Sequence, residues 1–487
     1  MFPGHSLKFS APSTLHFQKT LQGLLMPALP QPAHRIGATH TIDNLQLIDH
    51  WFTLPATHGL KFSHGDDAAQ QHRYARHSIT VFAREVINTA AHLTTPAEQR
   101  PYLLYLQGGP GGASPRPATE SGWIAEISTT HRVILLDQRG TGNSTPLTHS
   151  VIGTLGTLKE QIDYLELFRA DSIIADAEAI RILLLAGQTN QRWSTLGQSF
   201  GGFLTLSYLS FAPEALTNCR ITAGLAPIRA HIDDVYRHTY TRTKERNEQY
   251  YSWYPEDREH AGTIANFLRE NTVHLPTGEQ LTDHRFQMLG HYLGGNGRVH
   301  GLHYVLESAF AEGKNHLSAR FLDSINHVVS YAPNPLYALL HESIYADGPT
   351  GSDSPSPAPT NWSAARIAQE FPEFSPTAQT PLFTGEHIFP WFFTEDPALA
   401  PLHDLAHALA EKKDWGRLYD HEQLARNDVP VAAAAYEPDI FVDYEHSMKT
   451  AAHVGNVHVW SSPTHHHDGL GVDGTLILRH LTNLLAN

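Results

Sequence analysis

Three stretches of this 487-residue chain hold side chains whose types and spacing could carry nucleophilic acyl transfer. The first is LGQSFGGF at residues 196–203, where Ser199 stands in a G-x-S-x-G pattern with Gly197, Gly201 and an extra Gly202. An apolar run precedes it and the helix-like LTLSYLSF follows, the strand, tight turn and helix setting that exposes a serine hydroxyl at an elbow. A serine there sits on strained backbone, so its neighbours must be small enough for the helix to pass close to the strand. The N–H of Phe200 then points to where an oxyanion would form. Alone, the five-residue pattern reads equally well as a glycine-rich turn with an incidental serine.

A serine of ordinary pKa needs a base within hydrogen-bond reach and a third group to orient that base. After the elbow, VPVAAAAYEPDIF puts Asp439 just beyond a buried-type strand, and THHHDGLG puts His467 in the loop after the next one. Asp443 competes as the acid; Asp439 is preferred because it lies closer to the strand end and is held more rigidly there. His465 to His467 with Asp468 also have metal-ligand character, but consecutive loop histidines seldom converge on one ion without partners from elsewhere, so no metal is expected. Upstream, QGGPGG at 107–112 follows another apolar strand. Its Gly108 or Gly109 lets backbone N–H groups approach a substrate carbonyl with no side chain in the way.

These loops must be carried by a sheet. DHWFTLP (49–55) and SITVFAREVI (78–87) predict an antiparallel pair opening it. PYLLYL, RVILLD, the run before Ser199, ITAGLAPI (221–228), VPVAAAAY and NVHVWSS read as buried strands alternating with helices such as 171–185, for which Asp171 is the expected N-cap. The expected fold is α/β, a mostly parallel sheet with an inserted, mostly helical cap. The expected boundaries are a loose leader or arm over 1–44, core over 45–227, cap over 228–392 and core again over 393–487, with GPTGSDSPSPAPT (348–360) a surface loop.

Composition narrows the class. A hydrophobic share of 41% with 17% charged residues is that of a globular protein, and a formal charge of -15 argues against nucleic acid as partner. No run is long and apolar enough for a membrane helix, and the N-terminal residues lack a continuous apolar signal region. The single Cys219 permits no internal disulfide or thiolate zinc site and fits a cytoplasmic setting.

In order and spacing, QGGPGG, LLDQRGTGNS and GQSFGG resemble the proline iminopeptidase family of α/β-hydrolases, whose first motif usually reads HGGPG; here Gln107 replaces that histidine. NEQYYSWYPED, LLHESIY, TGEHIFPWFF, YEPDIFVD and HHDGL extend the resemblance to the larger, long-capped branch, over about residues 45–485. It implies Ser199 as nucleophile, Asp439 as orienting acid, His467 as base, and Phe200 with Gly109 as oxyanion amides. It also implies that Glu342 and Glu386 hold the free amine of short peptides, with no cofactor. Trp253, Tyr254, Phe389, Trp391 and Phe392 are candidate walls for a pyrrolidine ring, and Arg139 a structural ion-pair partner. An esterase or amidase, a tripeptidyl aminopeptidase and a non-catalytic binding protein on the same scaffold stay open as alternatives.

Overall fold

The computed structural model describes residues 30–58, 73–90, 93–311, 315–347 and 359–486. Nine strands form one sheet in the order β1-β2-β3-β5-β4-β6-β7-β8-β9. β1 (Ala33–Ile42), β2 (Leu45–Pro55) and β3 (Ser78–Asn88) are antiparallel, and β3 meets β5 (Arg132–Asp137) antiparallel. From β5 onward, β4 (Tyr102–Leu106), β6 (Trp193–Gln198), β7 (Leu216–Thr222), β8 (Val431–Tyr436) and β9 (Val457–Ser462) all run parallel.

The central strands are apolar on both faces because both faces are covered. Leu103 and Tyr105 of β4 pack with Val133 and Leu135 of β5 on the side of the helix Gly122–Ser128 and of Leu470 and Leu478. Leu104 and Leu106 pack with Ile134 and Leu136 on the opposite side, against the helices Ala170–Leu184 and Phe200–Phe211. The two-residue period of a strand sorts these side chains between the layers. In β8, Ala432 and Ala434 take up Ile477 and Leu481 of the last helix, Gly469–Ala486; small side chains let that helix lie close.

Four expectations change. The arm expected over 1–44 is, from Ala33 on, the edge strand β1; its mostly exposed residues carry no alternating apolar signal, and a register shift between Ile36 and Thr39 interrupts its pairing. Residues 1–29 of that arm, and 348–358 of the expected surface loop, lie outside the described residues. The helix expected at 171–185 starts at Ala170 with Arg169 as N-cap, and Asp171 falls in its first turn, where a carboxylate favours the helix dipole without capping. The strand expected at 221–228 is Leu216–Thr222, because the chain turns away at Ala223 (φ 47°).

The cap is larger than its expected span. Its apolar core joins Tyr240, Leu289, Leu302 and Phe383 with Leu399, Leu405, Leu409 and Trp415, past the expected end at 392. It also takes in Leu147, Ile152, Leu165 and Phe168 from the connection after β5. Leu418 and Tyr419 already belong to the core under the sheet, so the chain returns to it just after Trp415.

Candidate active site

Strand β6 delivers Ser199 into the turn that starts the helix Phe200–Phe211, at φ 56° and ψ -125°. This left-handed backbone is rare for a residue with a side chain and persists only where the surroundings enforce it. They do so by contact. A Cβ on Gly197 would lie 2.3 Å from the Gly201 carbonyl oxygen, one on Gly201 1.9 Å from that of Leu106, and one on Gly202 2.3 Å from that of Gly224. Ser199 N–H also donates to Thr222 O at 3.0 Å, tying the turn to β7.

His467 Nε2 lies 2.9 Å from Ser199 Oγ, and His467 Nδ1 lies 2.8 Å from Asp439 Oδ2. Asp439 Oδ1 accepts the N–H groups of Phe441 (2.8 Å) and Val442 (3.2 Å), so the carboxylate is fixed before it meets the histidine. All three side chains are buried. Burial alone would lower the His467 pKa. The charge and hydrogen bond of Asp439, with the charge of Glu386, override it and hold the imidazole above its usual value.

The other sequence candidates separate cleanly. Asp443 caps the helix Tyr444–His453, accepting His446 N–H at 2.9 Å, and pairs with His238 (3.2 Å) and Arg242 (3.6 Å). The three consecutive histidines diverge: His465 Nδ1 meets Ser462 Oγ at 2.6 Å, His467 completes the relay, and burial first, then Arg246, pushes the pKa of His466 down to about 4. Among the described residues, the groups that bring three metal-type donors together are His238, Asp443, His446 and Glu256, Asp257, His303, neither from the histidine run. Arg139 forks onto Asp176 through Nε and Nη2, both at 2.7 Å, as a buried ion pair.

Gly108 lies against Ser199: a Cβ there would be 2.9 Å from Ser199 Cβ. Gly109 has φ 135°, and Gln107, in the usual histidine position, offers its carbonyl to Gln138 Nε2 at 2.8 Å, pinning the loop. Phe200 opens its helix, so its N–H is one of the donors a helix leaves unpaired at its start.

The two glutamates differ. Glu386 is half-buried, and it acts electrostatically on His467, Tyr331 and Tyr337. Burial raises its pKa, and His467 pulls it back. Glu342 is more enclosed, its Oε1 accepting Ala364 N–H at 3.0 Å, and burial raises its pKa as well. Tyr236 and Tyr345, ring centroids 6.1 Å apart, feel both carboxylates.

Of the expected aromatic walls, Trp253 is 43% exposed under Arg246 on the cap surface. Phe389, Trp391 and Phe392 pack on one another, with Phe392 against Tyr331. The rings around Glu386 are instead Tyr331, Tyr337 and Tyr345, which the sequence reading missed. Only Tyr345, three residues after Glu342, lay inside a stretch already singled out.

A parallel sheet that presents a serine on a strained strand-to-helix turn, with a histidine and a carboxylate from later loops behind it, defines an α/β hydrolase; the family described as alpha/beta hydrolase fold matches residues 101–258. A proline iminopeptidase of Aeromonas sobria is 40% identical over 446 residues, 91% of this chain and 98% of that protein. One of Aspergillus aculeatus is 36% identical over 400 residues, 81% and 86% of the two chains. The chain belongs to the proline iminopeptidase family. No helix among the described residues is long and apolar enough to cross a membrane.

Proposed function

We propose that the protein is a serine aminopeptidase that releases an N-terminal residue, preferably proline, from short peptides with a free amine. The observation that carries this reading is the unbroken relay from Asp439 through His467 to Ser199, with the Glu386 carboxylate acting on the same histidine. His467 takes the Ser199 proton as Oγ attacks the scissile carbonyl, and the N–H groups of Phe200 and of Gly108 or Gly109 receive the oxyanion. The imidazolium, held by Asp439, gives its proton to the departing peptide amine. Water then attacks the acyl-enzyme with His467 again as base, and Ser199 is regenerated.

An aminopeptidase must pair the substrate's ammonium group in a partly dry pocket. Glu386 and Glu342, which both act electrostatically on Tyr236 and Tyr345, are assigned that role. No step calls on a cofactor, and the lone buried Cys219 is compatible with a cytoplasmic setting.

A panel of aminoacyl-naphthylamides, free and N-blocked, tests the assignment. Free prolyl-naphthylamide turns over and N-acetylprolyl-naphthylamide does not; cleavage of the blocked compound removes the role of the glutamates. Glu386→Gln lowers kcat/KM for the free amine by about 10- to 100-fold, the size of a lost charged hydrogen bond. Since Glu386 raises the His467 pKa, the acid limb of its kcat/KM profile moves to lower pH. Ser199→Ala lowers kcat by about 10^6-fold with the fold intact.

A further inference from the structure

Beyond the relay itself, one short cap segment touches both loops that feed it. Gly294, Gly295 and Asn296 link the turn Met288–Gly294 to the helix Arg298–Glu307. A Cβ on Gly294 would lie 2.1 Å from the ring of Phe441, whose N–H holds Asp439 and whose ring stands edge-on to His467 at 5.0 Å. A Cβ on Gly295 would lie 2.4 Å from Asp468 Oδ2. Asn296 then brackets the histidine loop with three hydrogen bonds. Its Oδ1 accepts His466 N–H at 2.8 Å, its Nδ2 donates to Thr464 O at 2.8 Å, and its backbone N–H donates to Asp468 Oδ1 at 2.9 Å. The segment is itself anchored: Arg246, on the cap helix Ile232–Trp253, donates to Leu293 O (3.0 Å) and Gly295 O (3.1 Å).

We propose that this cap strap, with Asn296 at its centre, positions the catalytic histidine, so that the cap completes the base as well as covering the substrate. The inference rests on the assignment of Ser199 and His467 above. The geometry is specific, because the three bonds fall on residues before and after His467 and none on His467 itself. Its backbone is thereby fixed while its ring stays free to exchange the Ser199 proton. A loop connection held only by its own chain would leave the imidazole a range of positions, and a displacement of about 1 Å at a reacting group can lower the rate about 100-fold. Asn296 is accordingly a positioning residue.

The test uses the full-length protein and two readouts: turnover of prolyl-naphthylamide, and the rate at which a fluorophosphonate modifies Ser199. The second needs the nucleophile and its base but no amine pocket. Asn296→Ala lowers kcat and the modification rate together by about 10- to 100-fold, with little change in KM. Asn296→Asp, which keeps an acceptor for His466 N–H, recovers part of both and carries the test if the alanine variant does not fold. An unchanged modification rate in a folded variant, a change confined to KM, or equal losses in both variants that track a lowered thermal midpoint would overturn the proposal. Ser199→Ala run in parallel separates the two claims. If it is still modified, the assignment of the nucleophile fails, and the strap's role falls with it whatever Asn296→Ala does.

Discussion

The sheet and the cap both border Ser199, and each contributes to its surroundings in a different way. Around Ser199 the sheet domain works by close approach of backbone to backbone, so that a single added carbon at Gly197, Gly201 or Gly202 meets a carbonyl oxygen. The cap side works by enclosed titratable groups. Burial pulls the pKa of His291 down to about 4, and of His341 and His387 to about 3, while it raises Glu342 and Glu386. The first arrangement fixes Ser199, the proposed nucleophile, in one place, and the second encloses the carboxylates proposed to hold the substrate amine.

The widest contrast to test is between two acids four residues apart after β8, one facing the elbow and the other facing the cap. Asp439 serves the relay, and Asp443 holds a helix start and the cap residues His238 and Arg242. Asp439→Asn offers His467 Nδ1 an amide in place of a carboxylate and favours the wrong tautomer; kcat falls by about 10^4-fold. Asp443→Ala removes an N-cap and two ion pairs, lowering stability by about 1 kcal/mol and leaving kcat near wild type. Steady-state kinetics and denaturant unfolding on both variants check this. Equal kinetic losses would move the acid assignment.

The second contrast is acid sensitivity. A histidine whose pKa is lower folded than unfolded binds its proton preferentially in the unfolded chain, so stability falls as pH drops below about 6.5 toward the folded value. His291, His341 and His387 lie on the cap side. In the sheet domain, burial and then Arg220 lower His131 to about 4, and His466 on the relay loop is lowered similarly. At pH of about 4.5 each such histidine contributes on the order of 2 kcal/mol of destabilisation. Hydrogen exchange at pH about 7 and about 5 checks it. Cap peptides around 286–293 and 336–344 lose protection before the sheet peptides 102–106 and 193–198, and simultaneous loss would break the distinction.

The same divide explains what the sequence made legible. Close approach leaves a grammar of glycines at fixed offsets from a serine, and buried strands announce themselves by apolar runs, so the elbow and most of the parallel strands could be read in advance, with Asp439 and His467 in the loops just beyond two of them. β1 was missed because an edge strand with exposed side chains has no apolar period. AGLAPI was mistaken for strand because its apolar residues line a loop, bent where Gly224 passes so close to the elbow that a Cβ there would lie 2.5 Å from Ser199 O. In the cap, helical spacing shows that a face is buried but not against what; hence Leu147 to Phe168 and Leu399 to Trp415 were assigned to the wrong core. Asn296 was not singled out at all, because its three partners lie about 170 residues further along the chain.

The smallest effect gives the most direct comparison, since one substitution made in each region should act with opposite sign. Gly201 and Gly301 both lie within helices, Phe200–Phe211 and Arg298–Glu307, and alanine at either gains the same helix propensity, about 0.5–1 kcal/mol. At Gly301 the new Cβ meets only the Tyr292 ring, at 3.5 Å, an ordinary contact, so Gly301→Ala keeps that gain and raises the thermal midpoint by about 0.5–1 °C. At Gly201 the Cβ falls 1.9 Å from Leu106 O, and β4 cannot retreat because β5 and β6 flank it. Gly201→Ala therefore loses far more than propensity returns and lowers the midpoint. If both variants melted above the wild type, backbone contact would not be what holds the elbow, and the strained conformation of Ser199 would need another cause.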